Sequence, residues 1–337
     1  MKKLFLFIAI LFSATSFGQT SKDTIISTLD YWGKKCDEGG AHYYRVAFKE
    51  GNWWHAQDIY AANTRLYMDG LYSDDSFLVK EGMFYTYHTN GKIKSKVRYI
   101  KGKKEGVYKE YDTTGRLIDS AIYSKDVPKK AHYKWDSDGH LIFKGIYDEE
   151  GYGIGQETEY FADGKISAYG ITSVGAKKDS IWTYYYPNTG IISAQDFYDK
   201  GNKGGRICFD EKGNQYEGTC EDEPAQPVEK QETISRRFGD RYGSIKESNY
   251  KFNEQTGSTS GTFDINYKFK KGTYIVFKVY VDEKGNMTNV EVVHKVHPKV
   301  DDTIKDIFLG ITKFKPSRKN NYPVKASFEQ AFPLSGF

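Results

Sequence analysis

The sequence predicts a mainly β protein, in which a repetitive antiparallel β-meander of about 24-residue units precedes a small α+β domain. Three observations support this fold class. The 337 residues include 28 Tyr and 33 Gly but only 8 Pro, a composition typical of many strands and turns. Glycines recur at regular intervals through the middle of the chain, each after an aromatic residue. The last hundred residues show the order β-hairpin, helix, strand.

Six glycines define the repeat, at spacings of 23 to 26 residues, and an aromatic residue stands four positions before each. Two positions after the first five stands Ile or Leu, and eight positions after stands Tyr, or Thr in the fourth unit. This regularity predicts a repeated supersecondary unit. The glycines and their aromatic residues are Gly91 (Tyr87), Gly115 (Tyr111), Gly139 (Trp135), Gly164 (Tyr160), Gly190 (Tyr186) and Gly213 (Phe209); the later columns are Ile93, Leu117, Leu141, Ile166 and Ile192, then Tyr99, Tyr123, Tyr147, Thr172 and Tyr198.

The length of the loop at each glycine decides which columns meet. A three-residue loop of Thr89, Asn90 and Gly91, with the glycine in the left-handed conformation, places Tyr87 opposite Ile93. A two-residue Asn-Gly loop would shift the register by one and put those side chains on opposite faces. Small polar residues precede the later glycines, as the three-residue loop prefers. We therefore predict three-residue loops throughout the repeat.

Residues at even spacing within a strand lie on one face of a sheet. We therefore predict that the tyrosine and aliphatic columns share one face and that Lys, Glu and Ser occupy the other. Such a ladder explains the tyrosine content by structure alone, because the rings pack across strands while the hydroxyl groups reach water or a carbonyl group. An open aromatic face of a few hundred Å² would instead indicate a binding surface.

The segments Gly82-Met-Phe-Tyr-Thr-Tyr-His-Thr-Asn-Gly-Lys-Ile and Tyr99-Ile-Lys-Gly-Lys-Lys-Glu-Gly106 resemble the variant MORN repeat of exported bacterial proteins and antitoxin-like proteins. The resemblance extends from about Gly82 to Thr219, and strand-like segments continue it upstream, so we place the repeat domain at residues 41–219. It implies a β-sheet scaffold without catalytic residues. It implies no single ligand, because such repeats serve many partners.

The amino end has the pattern of a signal peptide. Lys2 and Lys3 precede an apolar run from Leu4 to Phe12, and small residues follow up to Gly18. As a helix the run would reach about 14 Å, well short of a hydrocarbon core of roughly 30 Å. We predict a cleaved signal peptide at residues 1–18, export, and no integral membrane segment after cleavage.

The segment from Asp23 to Lys35 has apolar residues at helical spacing. The run ends at two lysines, shortly before the pair Gly39-Gly40. We predict a short helical cap within residues 19–40. Its apolar positions are Ile25, Ile26, Leu29 and Trp32.

Three cysteines, Cys36, Cys208 and Cys220, leave one thiol unpaired whatever the connectivity. Cys208 and Cys220 flank the turn at Gly213 and are a candidate disulfide, although counting outward from the turn does not place them directly opposite. The alternative is three buried or reduced thiols. Further ligands for zinc are absent from the neighbouring sequence, so no metal site is predicted there.

Residues 220–238 begin with an acidic run, contain Pro224 and Pro227, and interrupt the repeat, which predicts an interdomain linker. Charge changes across it. Residues 19–222 carry 28 basic and 31 acidic side chains, a net charge of −3, whereas residues 223–337 carry 19 and 14, a net charge of +5. The basic half suits either an anionic partner or a solvated lysine surface. The net charge of +4 for the chain excludes a strongly basic nucleic-acid-binding protein.

Residues 239–337 are predicted to form the α+β domain. Tyr274 to Val281 and Met287 to His294 predict a hairpin, Asp301 to Thr312 a helix, and Val324 to Phe332 a last strand. This order resembles the carboxy-terminal domain of TonB-type energy transducers. The matching residues are Val276-Phe-Lys-Val-Tyr-Val-Asp-Glu-Lys-Gly-Asn-Met-Thr-Asn-Val-Glu-Val-Val293, Phe314-Lys-Pro-Ser317 and Tyr322-Pro-Val-Lys-Ala-Ser-Phe328.

This resemblance implies that the domain binds a short receptor segment by adding a strand to its sheet edge. The residues it indicates for partner binding are Val324, Ala326, Phe328 and Gln330. Energy transducers also have an amino-terminal membrane helix and a long proline-rich spacer. Here the amino-terminal segment is predicted to be cleaved, and a linker of about 15 residues spans at most about 50 Å. A docking role is therefore favoured over force transduction.

The sequence contains no recognised catalytic or cofactor-binding motif, so we expect a non-enzymatic protein without a cofactor. The glycines from Gly151 to Gly155 lie in a repeat turn rather than between a strand and a helix, which argues against nucleotide binding. His294 and His297 have no carboxylate or cysteine at ligand spacing.

Asp136 and Asp138 resemble the start of a calcium-binding loop. The acidic residue that such a loop needs six positions after its glycine is missing, because Gly145 stands there. We interpret the segment as an ordinary turn.

Together these features predict an exported binding or scaffold protein of the periplasm or outer-membrane periphery of a Gram-negative bacterium, or a secreted one. Its expected partner is a protein of the cell envelope, such as an outer-membrane receptor segment, and not a nucleic acid. Two alternatives remain open: a component of a TonB-type transport system, and an antitoxin-like neutraliser of an effector.

Overall fold

The computed structural model describes residues 24–218, 220–229, 273–294 and 313–333, with residues 233, 236, 240, 252–253, 258–259, 301, 305 and 309. The predicted signal peptide at residues 1–18 lies outside the described residues, as does most of the linker after residue 229. So does most of the predicted helix from Asp301 to Thr312, of which Asp301 and Lys305 are helical.

Sixteen strands form one antiparallel sheet, in which each strand pairs with those before and after it in the chain. This meander confirms the predicted fold class. The strands are β1 (Thr24–Leu29), β2 (Tyr43–Glu50), β3 (Trp53–Tyr60), β4 (Leu66–Tyr72), β5 (Lys80–Tyr87), β6 (Ile93–Ile100), β7 (Lys103–Tyr111), β8 (Leu117–Ser124), β9 (Val127–Trp135), β10 (Leu141–Tyr147), β11 (Gly155–Tyr160), β12 (Ile166–Ser173), β13 (Lys177–Tyr185), β14 (Ile192–Asp199), β15 (Asn202–Phe209) and β16 (Gln215–Tyr216).

The predicted three-residue loop is confirmed in the first four units and in the sixth, at Gly213. The Gly91 N–H donates to the His88 carbonyl, the His88 N–H donates to the Lys92 carbonyl, and Gly91 has a φ of +87°. Tyr87 therefore pairs with Ile93. The equivalent pairs in the next units are Tyr111 with Leu117, Trp135 with Leu141, and Tyr160 with Ile166.

The fifth unit departs from this register. The Tyr186 N–H donates to the Ile191 carbonyl, so residues 187–190 form a longer loop. Tyr185, rather than Tyr186, pairs with Ile192. The prediction of one register for every unit is therefore wrong here, because the extra loop residue moves the pairing back by one position.

The predicted helical cap within residues 19–40 is also wrong. Thr24–Leu29 forms strand β1, which pairs with β2, and Glu38–Gly40 forms a short 3₁₀ turn. Four of the six residues of β1 are β-branched, which disfavours a helix and favours a strand. The edge of β2 also supplies backbone hydrogen bonds along the whole segment, and a helix this short is marginal by itself.

The buried face of the sheet, called here the inner face, contains a column of large side chains that the sequence did not reveal. Phe84 and Trp182 belong to it and are 3% and 0% exposed. Each ring lies over a glycine of the preceding strand. A Cβ atom on Gly70 would lie 2.5 Å from the Phe84 ring, and one on Gly170 would lie 2.4 Å from the Trp182 ring. The absent side chain makes room for the aromatic ring.

The last part of the chain forms a separate three-stranded sheet and several two-stranded pieces. The hairpin predicted from Tyr274 to His294 is confirmed. The strands are β17 (Gln226–Pro227), β18 (Phe252–Asn253), β19 (Ser258–Thr259), β20 (Tyr274–Val281), β21 (Met287–His294), β22 (Phe314–Lys315), β23 (Ser317–Lys319), β24 (Tyr322–Val324) and β25 (Ala326–Pro333).

One pentapeptide forms a turn in both sheets, Asp210-Glu-Lys-Gly-Asn214 after β15 and Asp282-Glu-Lys-Gly-Asn286 after β20. In both turns the aspartate carboxylate accepts hydrogen bonds from the N–H groups two and four positions later and from the asparagine side-chain amide. Identical bonds in different surroundings show that this turn is determined locally.

The ring-over-glycine packing predicts the effect of a methyl group. We expect Gly170→Ala to lower the free energy of unfolding by about 1 to 3 kcal/mol, because the buried Trp182 ring must move. Gly205→Ala is the matched control, since its Cβ would have no atom within 4 Å and its φ is outside the left-handed region. Gly205→Ala should be neutral or stabilise by up to about 1 kcal/mol. Urea unfolding followed by circular dichroism measures both, and equal losses would contradict the packing argument.

Candidate interaction site

Strand β25 forms one edge of the three-stranded carboxy-terminal sheet, whose order is β21-β20-β25. It pairs with β20 along its whole length, from Ala326 opposite Val281 to Pro333 opposite Tyr274. In the part of the chain that the structure describes, no strand pairs with its other side. Alternate N–H and C=O groups along that side therefore point away from the sheet and offer hydrogen bonds to an added strand.

Three of the four predicted partner-binding residues lie on this strand. Ala326, Phe328 and Gln330 are half-buried and alternate with the exposed Ser327 and Glu329. The half-buried side chains anchor the strand to its own sheet, so what β25 offers to a partner is its backbone. The residues opposite them on β20 are all buried: Val281, Val279 and Phe277.

Val324, the fourth predicted residue, lies on a different strand. It belongs to β24 and pairs with Ser317. Asn320 and Asn321 have φ values of +52° and +75°, which close a tight hairpin between β23 and β24. The continuous strand predicted from Val324 onward is therefore interrupted at Lys325.

The carboxy-terminal sheet also contacts the beginning of the repeat sheet. The Tyr31 N–H donates to the Tyr274 hydroxyl at 2.9 Å, and the Tyr31 hydroxyl donates to the Glu329 carboxylate at 2.7 Å. The Trp32 indole stacks on the Tyr274 ring, with centroids 5.6 Å apart and planes at 17°. The loop after β1 is thereby attached to β20 and β25.

A pair of histidines completes this contact. His42, just before β2, and His294, at the end of β21, bring their Nδ1 atoms within 2.5 Å of each other. One ring donates and the other accepts, so at least one must be neutral. Burial lowers the pKa of His42 to about 3, with the neighbouring His294 adding to the shift, and burial lowers the pKa of His294 to about 4. Both rings are therefore neutral at pH 7.

The hairpin of β23 and β24 contacts the other end of the repeat sheet. The Asn321 side-chain amide donates to the Tyr186 hydroxyl at 2.8 Å and to the Phe209 carbonyl at 3.0 Å. The Lys319 ammonium forms an ion pair with Glu159 at 3.0 Å. The carboxy-terminal residues therefore touch the repeat sheet near both its ends.

Contacts at both ends require a curved sheet. Twelve inter-strand steps separate β1 from β13, which would span about 58 Å in a flat sheet. The eight-residue strand β25 spans only about 27 Å. The accumulated twist of successive strands allows the repeat sheet to coil so that one small domain bridges it.

The sequence contains almost no signal for this bridge. Its contacts join residues 243 and 252 positions apart, and no local pattern encodes such a pairing. The one signal in the sequence was the aromatic pair Tyr31-Trp32 in a loop. In the structure Trp32 stacks on Tyr274 and remains 57% exposed.

The column of tyrosines that stand eight positions after the repeat glycines lies on the inner face. Lysine side chains stand over the rings of three of them, Tyr99, Tyr123 and Tyr198. Lys80 Nζ lies 5.0 Å from the centre of the Phe84 ring and 4.9 Å from that of Tyr99. Burial, and then the charge of Lys104, lowers the pKa of Lys80. These tyrosines pack in a cross-strand ladder, as predicted. The prediction that lysines occupy only the other face is wrong, because Lys80 stands on the inner face with these rings. The same contacts recur with Lys104 over Tyr108 and Tyr123, and with Lys178 over Trp182, Tyr184 and Tyr198.

A disulfide joins Cys208 to Cys220, with Cα atoms 6.0 Å apart, and Cys36 is a free thiol. Cys208 pairs with Tyr216 in the strand register, so the bridge joins residues that are not directly opposite. Arg206 donates to the Cys220 carbonyl at 2.7 Å. The disulfide and this hydrogen bond hold the start of the predicted linker against β15.

The carboxylate and imidazole groups of Asp136, Asp138 and His140 lie within 4.8 Å of one another. Asp136 accepts hydrogen bonds from the N–H groups of Asp138 and His140 and from the His140 ring. Asp112 and Asp210 accept the same backbone bonds in turns that lack a histidine. The cluster is thus accounted for by a turn of the repeat.

The remaining candidate motifs also have structural roles or fall outside the described residues. Gly151 to Gly155 connects strand β10 to strand β11 and precedes no helix. His294 belongs to the histidine pair, and His297 lies outside the described residues.

No model of a known protein family matches the chain, and no curated protein matches it. Within the described ranges, no helix is long and apolar enough to cross a membrane. The structure therefore establishes a repetitive antiparallel meander.

Acidification should weaken the histidine contact. The folded pKa values lie below the ordinary value of about 6.5, so this contribution to stability is complete above pH 6.5 and is lost as the pH falls toward 4. At pH 5 we expect a loss of about 2 kcal/mol or more for the pair. Urea unfolding at pH 7 and pH 5 should show a smaller pH effect in His42→Gln/His294→Gln than in the wild type. His140→Gln, in an exposed turn, is the control, and an unchanged pH effect in the double variant would contradict the assignment.

Thiol counting tests the cysteine assignment. In denaturant without reductant we expect one thiol per chain to react with Ellman's reagent, and three after reduction. Reduction should lower the free energy of unfolding by about 2 to 3 kcal/mol, since the bridge closes a short loop. Cys36→Ser should abolish the reaction seen without reductant and leave the effect of reduction unchanged. Three reactive thiols before reduction would refute the bridge.

Proposed function

We propose that the protein is a non-enzymatic exported binding or scaffold protein. The repeat sheet presents an interaction surface, and the carboxy-terminal sheet docks a partner by adding a strand beside β25. The observation that carries the proposal is the position of β25, which pairs with β20 on one side and with no described strand on the other. Strand addition uses backbone hydrogen bonds and so needs no special side chain at the site.

The proposed partner is an extended segment of a protein of the cell envelope, such as an outer-membrane receptor segment. Its backbone would pair with the free side of Ala326–Pro333, and its side chains would lie alternately on the two faces of the extended sheet. One of those faces is already attached to the repeat sheet through Glu329 and Tyr31. The repeat sheet would thus border the docked strand and take part in selecting it.

Two features support export. Residues 1–18 have the pattern of a cleaved signal peptide. The disulfide between Cys208 and Cys220 suits an oxidising compartment such as the periplasm or the cell exterior.

Pairing among the buried polar groups of the inner face supports a scaffold without a catalytic site. Arg45 pairs with Asp58 at 2.7 Å, and Arg206 pairs with Asp196 across neighbouring strands. Burial raises the pKa of Asp196 in part, but Arg206 and Lys203 outweigh it, so its pKa stays below the usual range. Burial raises the pKa of Asp58, and Arg45 offsets this rise only in part. Each of these carboxylates is nevertheless bound by an arginine of the neighbouring strand, which fits a structural role.

A component of a TonB-type transport system is the second candidate function. The resemblance of the last domain to the energy transducers and the free edge of β25 favour it. That role requires attachment to the energised membrane. An intact segment 1–18 in the membrane fraction would favour transport, and a mature chain in the soluble envelope fraction would favour the scaffold.

A proline test separates strand addition from other modes of binding. Adjacent residues of a strand point their N–H groups to opposite sides. Of the two variants Ala326→Pro and Ser327→Pro, one therefore removes a hydrogen bond to β20, and the other removes a donor from the free side of β25. The variant with wild-type stability identifies the free side. We expect it to retain about a tenth or less of the partner in affinity capture from cell-envelope extract with the full chain, measured by quantitative mass spectrometry.

Ser327→Ala serves as the control for this test, because it leaves the backbone N–H groups of β25 unchanged and removes only an exposed hydroxyl, so it should keep the partner. Undiminished capture by the stable proline variant would show that strand addition is wrong. Recovery of an outer-membrane receptor alone would favour the transport function, and recovery of a toxin would favour the antitoxin-like alternative.

A further inference from the structure

Three cations form a basic patch on the face of the repeat sheet opposite the inner face. They are Lys96, Arg98 and Lys109, and this face is called here the outer face. Val97, between the first two, is buried on the inner face, and Tyr108, before Lys109, packs against the same inner core. Because side chains alternate along a strand, the three cations point outward.

Lys96 and Lys109 lie directly opposite each other on β6 and β7. Such residues have Cβ atoms about 4.5 to 5.5 Å apart, and like charges at this distance destabilise a sheet. Elsewhere the same sheet places unlike charges opposite each other and joins them in ion pairs. Those pairs are Arg45 with Asp58, Lys134 with Asp119, and Arg206 with Asp196. Glu110 and Asp119 also lie opposite each other, but the Tyr108 hydroxyl donates to Glu110, and His132 and Lys134 contact Asp119. The side chains of the opposed lysines have no such partners among the described residues.

No carboxylate of the described residues forms an ion pair with the patch. Arg98 lies opposite Glu105, but the Glu105 carboxylate accepts the Lys125 N–H at 3.0 Å. The side chains of Lys96, Arg98 and Lys109 form neither a hydrogen bond nor an ion pair with any described residue. Glu105 therefore offsets part of the charge of Arg98, whereas the two opposed lysines have no described carboxylate paired with them.

Aromatic and apolar side chains surround the patch. Tyr85 lies opposite Lys96, and Met83, which is 41% exposed, lies opposite Arg98. Val107, on β7, is 53% exposed. Tyr, Met and Arg are residue types that protein–protein interfaces favour.

We propose that the basic patch binds an acidic segment of a partner protein. The carboxylates of that segment would lie between Lys96 and Lys109, and its apolar side chains would cover Met83 and Val107. A small acidic segment fits better than a long polyanion or an anionic membrane, because residues 19–222 carry a net charge of −3 that would repel an extended negative surface. This inference rests on the proposed role of the repeat sheet as an interaction surface, and it names the chemistry of the partner.

Binding of a labelled oligoglutamate peptide to the full chain, measured by fluorescence anisotropy, tests the proposal. We expect salt-sensitive binding that falls about tenfold or more in Lys96→Gln/Lys109→Gln. Lys125→Gln/Lys212→Gln removes the same charge from exposed turns and should bind as the wild type does. Anionic phospholipid vesicles and dextran sulfate are tested in parallel with all three proteins.

Three results would overturn the proposal: no binding of oligoglutamate at low salt, equal losses in the two double variants, or stronger binding of vesicles or dextran sulfate that depends on Lys96 and Lys109. The stable proline variant of β25 separates this proposal from strand addition. It should keep oligoglutamate binding while losing the envelope partner, so either proposal can fail alone.

A charge reversal gives a readout independent of any ligand. Lys96→Glu places unlike charges opposite each other, so we expect its melting temperature to rise by about 1 to 3 °C. The same substitution should abolish oligoglutamate binding. A lower melting temperature would show that the two lysines do not repel each other as proposed.

Discussion

The register of each repeat hairpin, imposed by its loop, is the constraint on which the other features of the structure depend. A glycine with positive φ closes the three-residue loop and places Tyr87 opposite Ile93. A slip of one residue would turn every following side chain to the other face. The fifth unit shows how much variation the sheet accepts. Its loop has an extra residue, yet Tyr185 takes the place of Tyr186 and Trp182 remains buried on the inner face.

The successive hairpins build one continuous sheet with a common inner face. Rings such as that of Trp182 lie directly over glycines of the neighbouring strand, so the inner face packs them against the backbone of the sheet. Twist accumulates over sixteen strands, and the carboxy-terminal residues reach both ends of the sheet. One contact depends on two neutral histidines, and the other on an asparagine amide and an ion pair. The free side of β25 is thereby held at a fixed place beside the repeats.

The two proposed surfaces work by different physics. The edge of β25 offers backbone groups, whose hydrogen bonds depend little on salt and select for an extended conformation. The basic patch of the repeat sheet offers charge, which acts over a longer distance, is screened by salt, and selects for acidic residues. A partner that combined an extended strand with an acidic segment would gain affinity from both surfaces by effective concentration.

Local backbone preference accounts for the features that could be read from the sequence: the meander, the loop length in five of the six units, and the hairpin turn at Asp282, which repeats the pentapeptide at Asp210. Tertiary structure decided the rest. Thr24–Leu29 has helical spacing but forms a strand, because the edge of β2 supplies backbone hydrogen bonds along its length. The contact of His42 with His294 joins residues 252 positions apart. Hydrophobic periodicity and turn residues describe only near neighbours in the chain, so such pairings become visible only once the sheet has coiled.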